Sequence, residues 1–366
     1  MYSTSCGRGS RHPELADASL APDWPRRRTA HYRLRGLVAA VVIAALCGGA
    51  SGESIRIDGA DYLGDLPTVI AAGEGLFARR GLDAEVRYNS SGKQSLARLR
   101  AGETDVALCA LTPLVIDRLS DPTPGGAEDP VILANLLHST HINRVVVRSD
   151  LPAVDLAGTD NDLRVALPKG TNAEFAWWVF TIFQGLDPSR FTVHDQPAHA
   201  IAGLLASGEA DAAVVREPWI ARMRQRRLPI ETVDADGRYT AKWVLVTSGR
   251  VVATRPRMVR SLLAVYRDAV ELIERSPKPA LARYARRVGV DPQAQRPTWH
   301  VLDYDLGLDW SLIATLQQQI DWAREHYGAA VSEVAVLSMI DPVPLHDLYP
   351  WAVAIPHPRL TAGPAE

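Results

Sequence analysis

The segment Leu99-x-x-Gly102-Glu103-x-Asp105-x-Ala107 recurs as Leu205-x-x-Gly208-Glu209-x-Asp211-x-Ala213, and no other feature constrains the fold of this chain as tightly. Helical spacing precedes each Gly. Each Asp is followed by a continuous apolar run, Val106-Ala107-Leu108 and Ala212-Ala213-Val214-Val215. That pairing reads as a helix C-cap feeding a buried parallel strand. Each copy ends in a proline, Pro113 and Pro218. Upstream, the first copy shows a strand at Ile55-Arg56-Ile57, a loop from Ala60 to Leu66, a helix from Pro67 to Phe77, then Gly81-Leu82 and a strand from Ala84 to Tyr88. Around Leu163 the same order returns: a strand to Leu167, a loop from Pro168 to Asn172, a helix from Ala173 to Gln184, then Gly185-Leu186 and a strand from Phe191 to His194. The copies are offset by about 104 to 108 residues, half a domain, so this is a duplicated lobe and not a solenoid. The expected fold class is α/β, with two β-α-β-α-β lobes.

The connections between the copies set the domain plan. Val131-Ile132-Leu133 and Val145-Val146-Val147 read as strands between the lobes, and a strand pair at Trp243 to Thr247 and Val251 to Thr254 follows the second. Helices are expected at Pro256 to Arg275, Pro279 to Arg287, Ser311 to Tyr327 and Ser332 to Met339. The simplest arrangement puts residues 53–140 and 248–355 in lobe 1 and residues 141–247 in lobe 2. Crossings near His141 to Arg144 and Thr247 to Gly249 would then form a hinge. Residues 356–366 read as a disordered tail.

Composition closes off several function classes. Among 366 residues, 40 Lys+Arg stand against 42 Asp+Glu, a net charge of −2, and Lys93, Lys169, Lys242 and Lys278 are the only lysines. A nucleic-acid backbone binder is excluded by that balance. With 47% hydrophobic and 22% charged residues, long disorder and a multi-span membrane protein are excluded as well. The N-terminus has another purpose. An apolar run from Leu37 to Cys47 follows Arg26, Arg27, Arg28, Arg33 and Arg35 and precedes Gly48-x-Ala50, the order of a secretory signal peptide. At ~20 residues needed to span a bilayer, the run is too short. Residues 1–52 are therefore expected to be a signal peptide and N-terminal extension, and the mature chain to begin near Ser51. Lipid attachment at Cys47 is disfavoured by Leu46, which stands where a small residue belongs. Cys109 alone would then remain, and no intramolecular disulfide could form.

Further elements carry a resemblance. They are Pro67-x-x-x-Ala71-x-x-x-Gly75-Leu76-Phe77, Gly81-Leu82-Asp83-x-Glu85-Val86, Ser91-Gly92, Gly170-Thr171 at a helix start, Glu217-Pro218-Trp219 and Ile340-Asp341. With the repeated segments, these residues resemble the periplasmic substrate-binding proteins of ABC importers for sulfonates, taurine, nitrate and thiamine-precursor pyrimidines. The resemblance implies a bilobal periplasmic binding protein of type II, its lobes joined by two hinge strands, with extra C-terminal helices and ligand between the lobes. It further implies a periplasmic monomer that hands a small molecule to ABC permease subunits and needs no cofactor.

In α/β sheets, ligands lie beyond the carboxyl ends of strands, and that rule selects the candidate residues. Lobe 1 offers Asp61, Tyr62, Ser91, Gly92 and Thr112. Lobe 2 offers Lys169 to Asn172, hence Gly170, Thr171 and Asn172, and Arg216 to Trp219, hence Glu217 and Trp219. Ser91-Gly92 and Gly170-Thr171 each combine a hydroxyl with free backbone N–H groups at a helix start, the makings of an anion cradle. Each serves equally as a plain N-cap. Asp61, Asp65 and Glu217 would bring carboxylates to the cleft, which suits a zwitterion or an aminopyrimidine edge better than a bare anion; Glu217 could instead pair with a nearby arginine. Tyr62, Trp177, Trp178 and Trp219 could stack on a planar ligand, although Trp177 and Trp178 cannot both face the cleft.

The expected function is an exported receptor for a sulfonate, a taurine-like zwitterion or a pyrimidine-type solute, and not an enzyme. A ligand-sensing module of the same fold is one alternative. A desulfinase-like hydrolase using Cys109 is another, but the enzyme similar to this family carries its cysteine after the first strand, where this chain has Asp61-Tyr62. His138-Ser-Thr-His141 has no accompanying Cys or carboxylate at ligand spacing, so no metal site is expected.

Overall fold

Two mixed sheets organise the computed structural model, which describes residues 52–120, 125–150, 163–233, 239–328 and 335–361. The expected signal peptide lies outside these residues, except for Gly52. The strands are β1 (Glu53–Ala60), β2 (Leu82–Asn89), β3 (Val106–Ala110), β4 (Pro130–Ser139), β5 (Arg144–Arg148), β6 (Leu163–Leu167), β7 (Phe191–Asp195), β8 (Ala212–Val215), β9 (Ile230–Val233), β10 (Ala241–Ser248) and β11 (Asp303–Gly307). Six form one sheet in the order β11-β4-β10-β3-β1-β2, and five the other in the order β7-β6-β8-β5-β9. β1 pairs in parallel with β2 and β3, and β6 in parallel with β7 and β8. These triplets are the two copies read from the sequence.

An antiparallel strand stands beside each triplet, β10 against β3 and β5 against β8. Each arrives from the other lobe. β4 ends at Ser139 in the six-stranded sheet and β5 starts at Arg144 in the five-stranded one; β9 ends at Val233 in the latter and β10 starts at Ala241 in the former. The second crossing therefore precedes Ala241 instead of lying at Thr247–Gly249, and residues 241–247 belong with lobe 1. A run buried on both faces explains the difference: Trp243 to Val246 are at most 4% exposed, so their apolar pattern does not say which sheet receives them.

The repeated Asp has a structural task in both lobes. Asp105 Oδ2 accepts the Arg56 backbone N–H at 2.9 Å while its carboxylate grips the Arg56 guanidinium at 3.0 and 3.2 Å. Asp211 does the same to Arg164, at 3.0 Å for the backbone and 2.8 and 2.9 Å for the guanidinium. In return Asp105 N donates to Arg56 O and Asp211 N to Arg164 O. Each motif thus clips the start of the third strand to the first strand at the point where the two begin to pair. Gly102 and Gly208, at φ of 68° and 75°, end the preceding helices in the left-handed region that glycine enters freely.

Side-chain alternation builds the second lobe. Val145, Val147, Val165 and Val214 pack on one face with Trp177 and Phe180 of helix Asn172–Gln184, while Val146, Ala166, Ala213 and Val215 pack on the other with Ile201 and Ile220. Three expectations change. The helix expected over Pro67 to Phe77 is two, Leu66–Gly73 and Leu76–Arg79, broken at Gly75 (φ 67°). Val251 to Thr254 is helical, not a strand, because Ser248 Oγ accepts the Val251 N–H at 3.2 Å and caps helix Gly249–Thr254. Residues 356–361 of the expected disordered tail are folded: His357 is buried against Leu337 O, Arg359 pairs with Asp341 at 2.5 Å, and Pro358–Thr361 is a helical turn.

Candidate functional site

A cavity of about 260 Å³ lies where the carboxyl ends of both triplets meet the first crossing. Lobe 1 lines it with Tyr62, Ser91, Gly92, Lys93, Lys242 and Trp243, lobe 2 with Lys169, Thr171, Asn172, Asp195 and Arg216, and the crossing with Ile142 and Asn143. Five of the ten residues expected from the sequence therefore border one space: Tyr62, Ser91, Gly92, Thr171 and Asn172; Gly170 lies between two lining residues without bordering it itself.

The two cradles are present as caps. Ser91 Oγ accepts the Gln94 N–H (3.3 Å) at the start of helix Gly92–Arg100. Thr171 Oγ1 accepts the Ala173 N–H (3.2 Å) and donates to Pro168 O (2.7 Å). The Gly170 N–H is committed to Glu174 Oε2 at 2.7 Å. A Cβ on Gly92 would come within 2.6 Å of Cys109 Cα and 2.9 Å of Trp243 Cη2, so only glycine lets this helix start against β3.

The floor is aromatic and cationic. Tyr62, 2% exposed, meets Trp243 edge to face with ring centroids 4.7 Å apart, and the Arg216 guanidinium lies 4.7 Å from the Tyr62 centroid. Neither the Tyr62 hydroxyl nor Arg216 Nε has a hydrogen-bond partner among the described residues. Burial lowers the Arg216 pKa and raises that of the Tyr62 phenol. Lys242 is enclosed, its Nζ 3.3 and 3.4 Å from the Asp309 carboxylate; burial pulls its pKa down and Asp309 opposes that. At the mouth, Lys93 Nζ donates to Lys169 O (3.0 Å), and Asp195 Oδ1 accepts the Lys169 N–H (2.9 Å).

The carboxylates expected to face a ligand turn elsewhere. Glu217, 3% exposed, folds back to accept the Ala221 N–H (3.0 Å) of helix Trp219–Gln225 and the Gln295 amide (3.1 Å). Asp61 pairs with Arg287 at 3.2 Å. Asp65 is fully buried beneath Trp243, accepting its Nε1–H (3.0 Å) and the Ala60 N–H, and burial pushes its carboxyl up to about 7. Thr112 is enclosed between Gln319 Oε1 (2.9 Å) and Asn172 Oδ1 (3.2 Å), and Trp219 lies under the Arg222 guanidinium (4.5 Å). None of these five borders the cavity. For Glu217, Asp65 and Thr112 the reason is the same: a buried carboxylate or hydroxyl satisfies its hydrogen bonds within its own chain first.

Conversely, Lys93, Lys242 and Trp243 had no place among the expected site residues. Scarcity was the available signal, since three of the chain's four lysines line this cavity. Cys109 lies behind Gly92, fully buried, and burial raises its thiol pKa, which opposes formation of a nucleophilic thiolate. Among the described residues no three His, Cys, Asp or Glu side chains gather as a metal site, and no helix is long and apolar enough to cross a membrane.

Comparison with known proteins agrees with this geometry. The NMT1-like family model matches residues 53–288. A protein of Brucella abortus (strain 2308), named only as a binding protein, is 22% identical over 237 residues, covering 63% of this chain and 70% of its own. The alkanesulfonate-binding protein SsuA of Xanthomonas axonopodis pv. citri, solved with MOPS bound, superposes with a TM-score of 0.66 at 16% identity, over 80% of this chain and 99% of its own. The periplasmic nitrate-binding protein NrtA of Synechocystis PCC 6803 gives 0.63 at 14% identity, over 81% and 88%. The desulfurization enzyme DSZB shares the fold at a lower 0.58 and 16% identity, over 81% and 98%. The matched span holds both triplets, both crossings and every cavity-lining residue, and on it the chain belongs to the NMT1-like family, with the two-lobed fold of periplasmic binding proteins.

Proposed function

We propose that this protein is an exported solute-binding protein that holds a small organic anion between its lobes and delivers it to an ABC-type permease. One observation carries the reading: Lys93, Lys169, Lys242 and Arg216 line a cavity in which, among the described residues, Asp195 is the only lining carboxylate. A guanidinium facing such a space without an ion pair favours a ligand that brings negative charge. Tyr62, Trp243, Ile142, Pro113 and Pro197 add apolar wall for a hydrocarbon portion. At about 260 Å³ the cavity is below the roughly 300–1,000 Å³ of drug-sized sites, which suits a compact solute. This replaces the zwitterion or aminopyrimidine expected from Asp61, Asp65 and Glu217, whose carboxylates are engaged within the fold. Sulfonates fit the class, as the names of the structural neighbours suggest. The test is native mass spectrometry of the intact protein for co-purified ligand, followed by calorimetry with that compound on wild type and Arg216→Met. A bound anion whose affinity falls at least about tenfold in the variant upholds the reading; a cationic or neutral ligand indifferent to Arg216 would overturn it.

A further inference from the structure

The lining charges are not equivalent. Lys242 is offset by Asp309 at 3.3 Å. Lys169 shares the exposed mouth with Asp195, the one carboxylate among the described lining residues, which accepts its backbone N–H and not its ammonium. Arg216 and Lys93 are the two lining cations whose recorded contacts cross to the other lobe. Among the described residues neither forms an ion pair, and their recorded partners are the Tyr62 ring and the Lys169 carbonyl. They also reach in opposite directions. Arg216 follows β8 of lobe 2 and lies over Tyr62 of lobe 1, whereas Lys93, in the first turn of helix Gly92–Arg100 of lobe 1, reaches Lys169 O of lobe 2.

We infer that the cavity selects a small organic dianion with separated charges, one held on the floor by Arg216 and the other at the mouth by Lys93; this rests on the anion-binding reading above. A monoanion can neutralise only one of the two cations and leaves the charge-assisted contact at the other unmade. A dianion of dicarboxylate or sulfocarboxylate type answers both. Its short hydrocarbon spacer would lie along Ile142, Pro113 and Pro197. Asp65 forms no ion pair with Arg216: its charge acts on the guanidinium only from a distance, its carboxylate accepts hydrogen bonds from Ala60 and Trp243, and burial favours its protonated form. Because each cation spans the cleft, dianion binding also ties one lobe to the other.

Calorimetry on the intact protein with length-matched pairs tests this: succinate against butyrate, and sulfoacetate against ethanesulfonate. The dianion of each pair should bind about tenfold tighter or more, the factor expected for one additional charged hydrogen bond. Its affinity should fall more steeply with added salt. Lys93→Met should bring the dianion-to-monoanion ratio close to one, and Arg216→Met should weaken both members. Equal affinity within each pair, with monoanion binding still dependent on Arg216, overturns the dianion proposal and leaves the anion reading standing. The same holds if Lys93→Met weakens both members alike. Failure of all four probes to bind overturns both.

Discussion

Arg216 shows how a charged side chain lining a cavity trades against stability. Its guanidinium is partly withdrawn from water and has no ion pair among the described residues, and the Tyr62 ring returns only about 0.5–2 kcal/mol. Replacement by an apolar side chain of similar length removes that penalty. We expect Arg216→Met to raise the melting temperature by roughly 2–4 °C while ligand affinity falls; thermal melts with and without ligand check both, and a lowered Tm would assign Arg216 a structural role. Asp65 makes a pH-dependent contribution. With its carboxyl pushed up to about 7 by burial, the folded state binds that proton more tightly than the unfolded chain. Its stabilising contribution is therefore complete at acid pH and is lost as pH rises from about 4 to about 7. Urea titrations of wild type and Asp65→Asn at pH 4.5 and 7.5 should show the wild-type advantage shrinking by at least about 1 kcal/mol across that window. A constant difference would mean that Asp65 does not titrate there.

At the scale of elements, the duplicated clip between the first and third strands explains why the Gly-Glu-x-Asp segment occurs twice. In both copies burial raises the carboxyl pKa, but the hydrogen bonds from Arg56 and Arg164 outweigh it and hold Asp105 and Asp211 below the ordinary value. Their contribution is present at neutral pH and lost as pH falls below the ordinary carboxylate range. Asp105→Asn and Asp211→Asn should each destabilise by about 1–2 kcal/mol at pH 7, discounted for the half-exposed arginines, with effects that add in the double variant because the sites lie in different sheets. Denaturant curves measure this, and a loss in only one variant would break the equivalence of the clips. The start of helix Gly92–Arg100 is the second element-level constraint. Gly92→Ala must push on backbone at Cys109 and on the Trp243 ring, so it should lower both stability, by about 1–3 kcal/mol, and ligand affinity.

Across the whole molecule, the helix Trp310–Tyr327 joins the two lobes. Leu312, Leu316 and Ile320 pack in the core of lobe 1, while Trp322 meets Phe175 of lobe 2 edge to face at 5.2 Å and the Tyr327 hydroxyl donates to the buried Glu174. Thr112 with Asn172 and Lys93 with Lys169 add bonds across the same seam. Opening of the cleft would have to part these groups while the chain bends at 140–143 and ahead of Ala241. Tyr327→Phe removes one donor from Glu174 without disturbing the lobe 1 core. Amide hydrogen exchange across 140–143 should accelerate several-fold in the ligand-free variant and slow again when the cleft is filled. Exchange that ignores both changes would argue against hinge motion.

The sequence by itself determined the duplicated β-α-β triplets, their helices and the carboxyl-end loops where a ligand could lie, because these depend on local periodicity and on glycine and capping residues such as Gly102, Gly208, Ser91 and Thr171. It also marked Tyr62, Gly92 and Asn172 as bordering the cleft. Only the tertiary structure decided which sheet receives β10, since a fully apolar strand carries no address. Only it decided the sign of the cavity's charge. Glu217, Asp61 and Asp65 stand at loop positions as suitable as that of Arg216, and whether such a group faces ligand depends on whether a distant partner satisfies it first. Gln295, Arg287 and Trp243 do so for the carboxylates, from 78, 226 and 178 positions away along the chain. Among the described residues none does so for Arg216. A half-buried charge left without an ion pair is a property of the folded packing, and it is what the anion-binding proposal rests on.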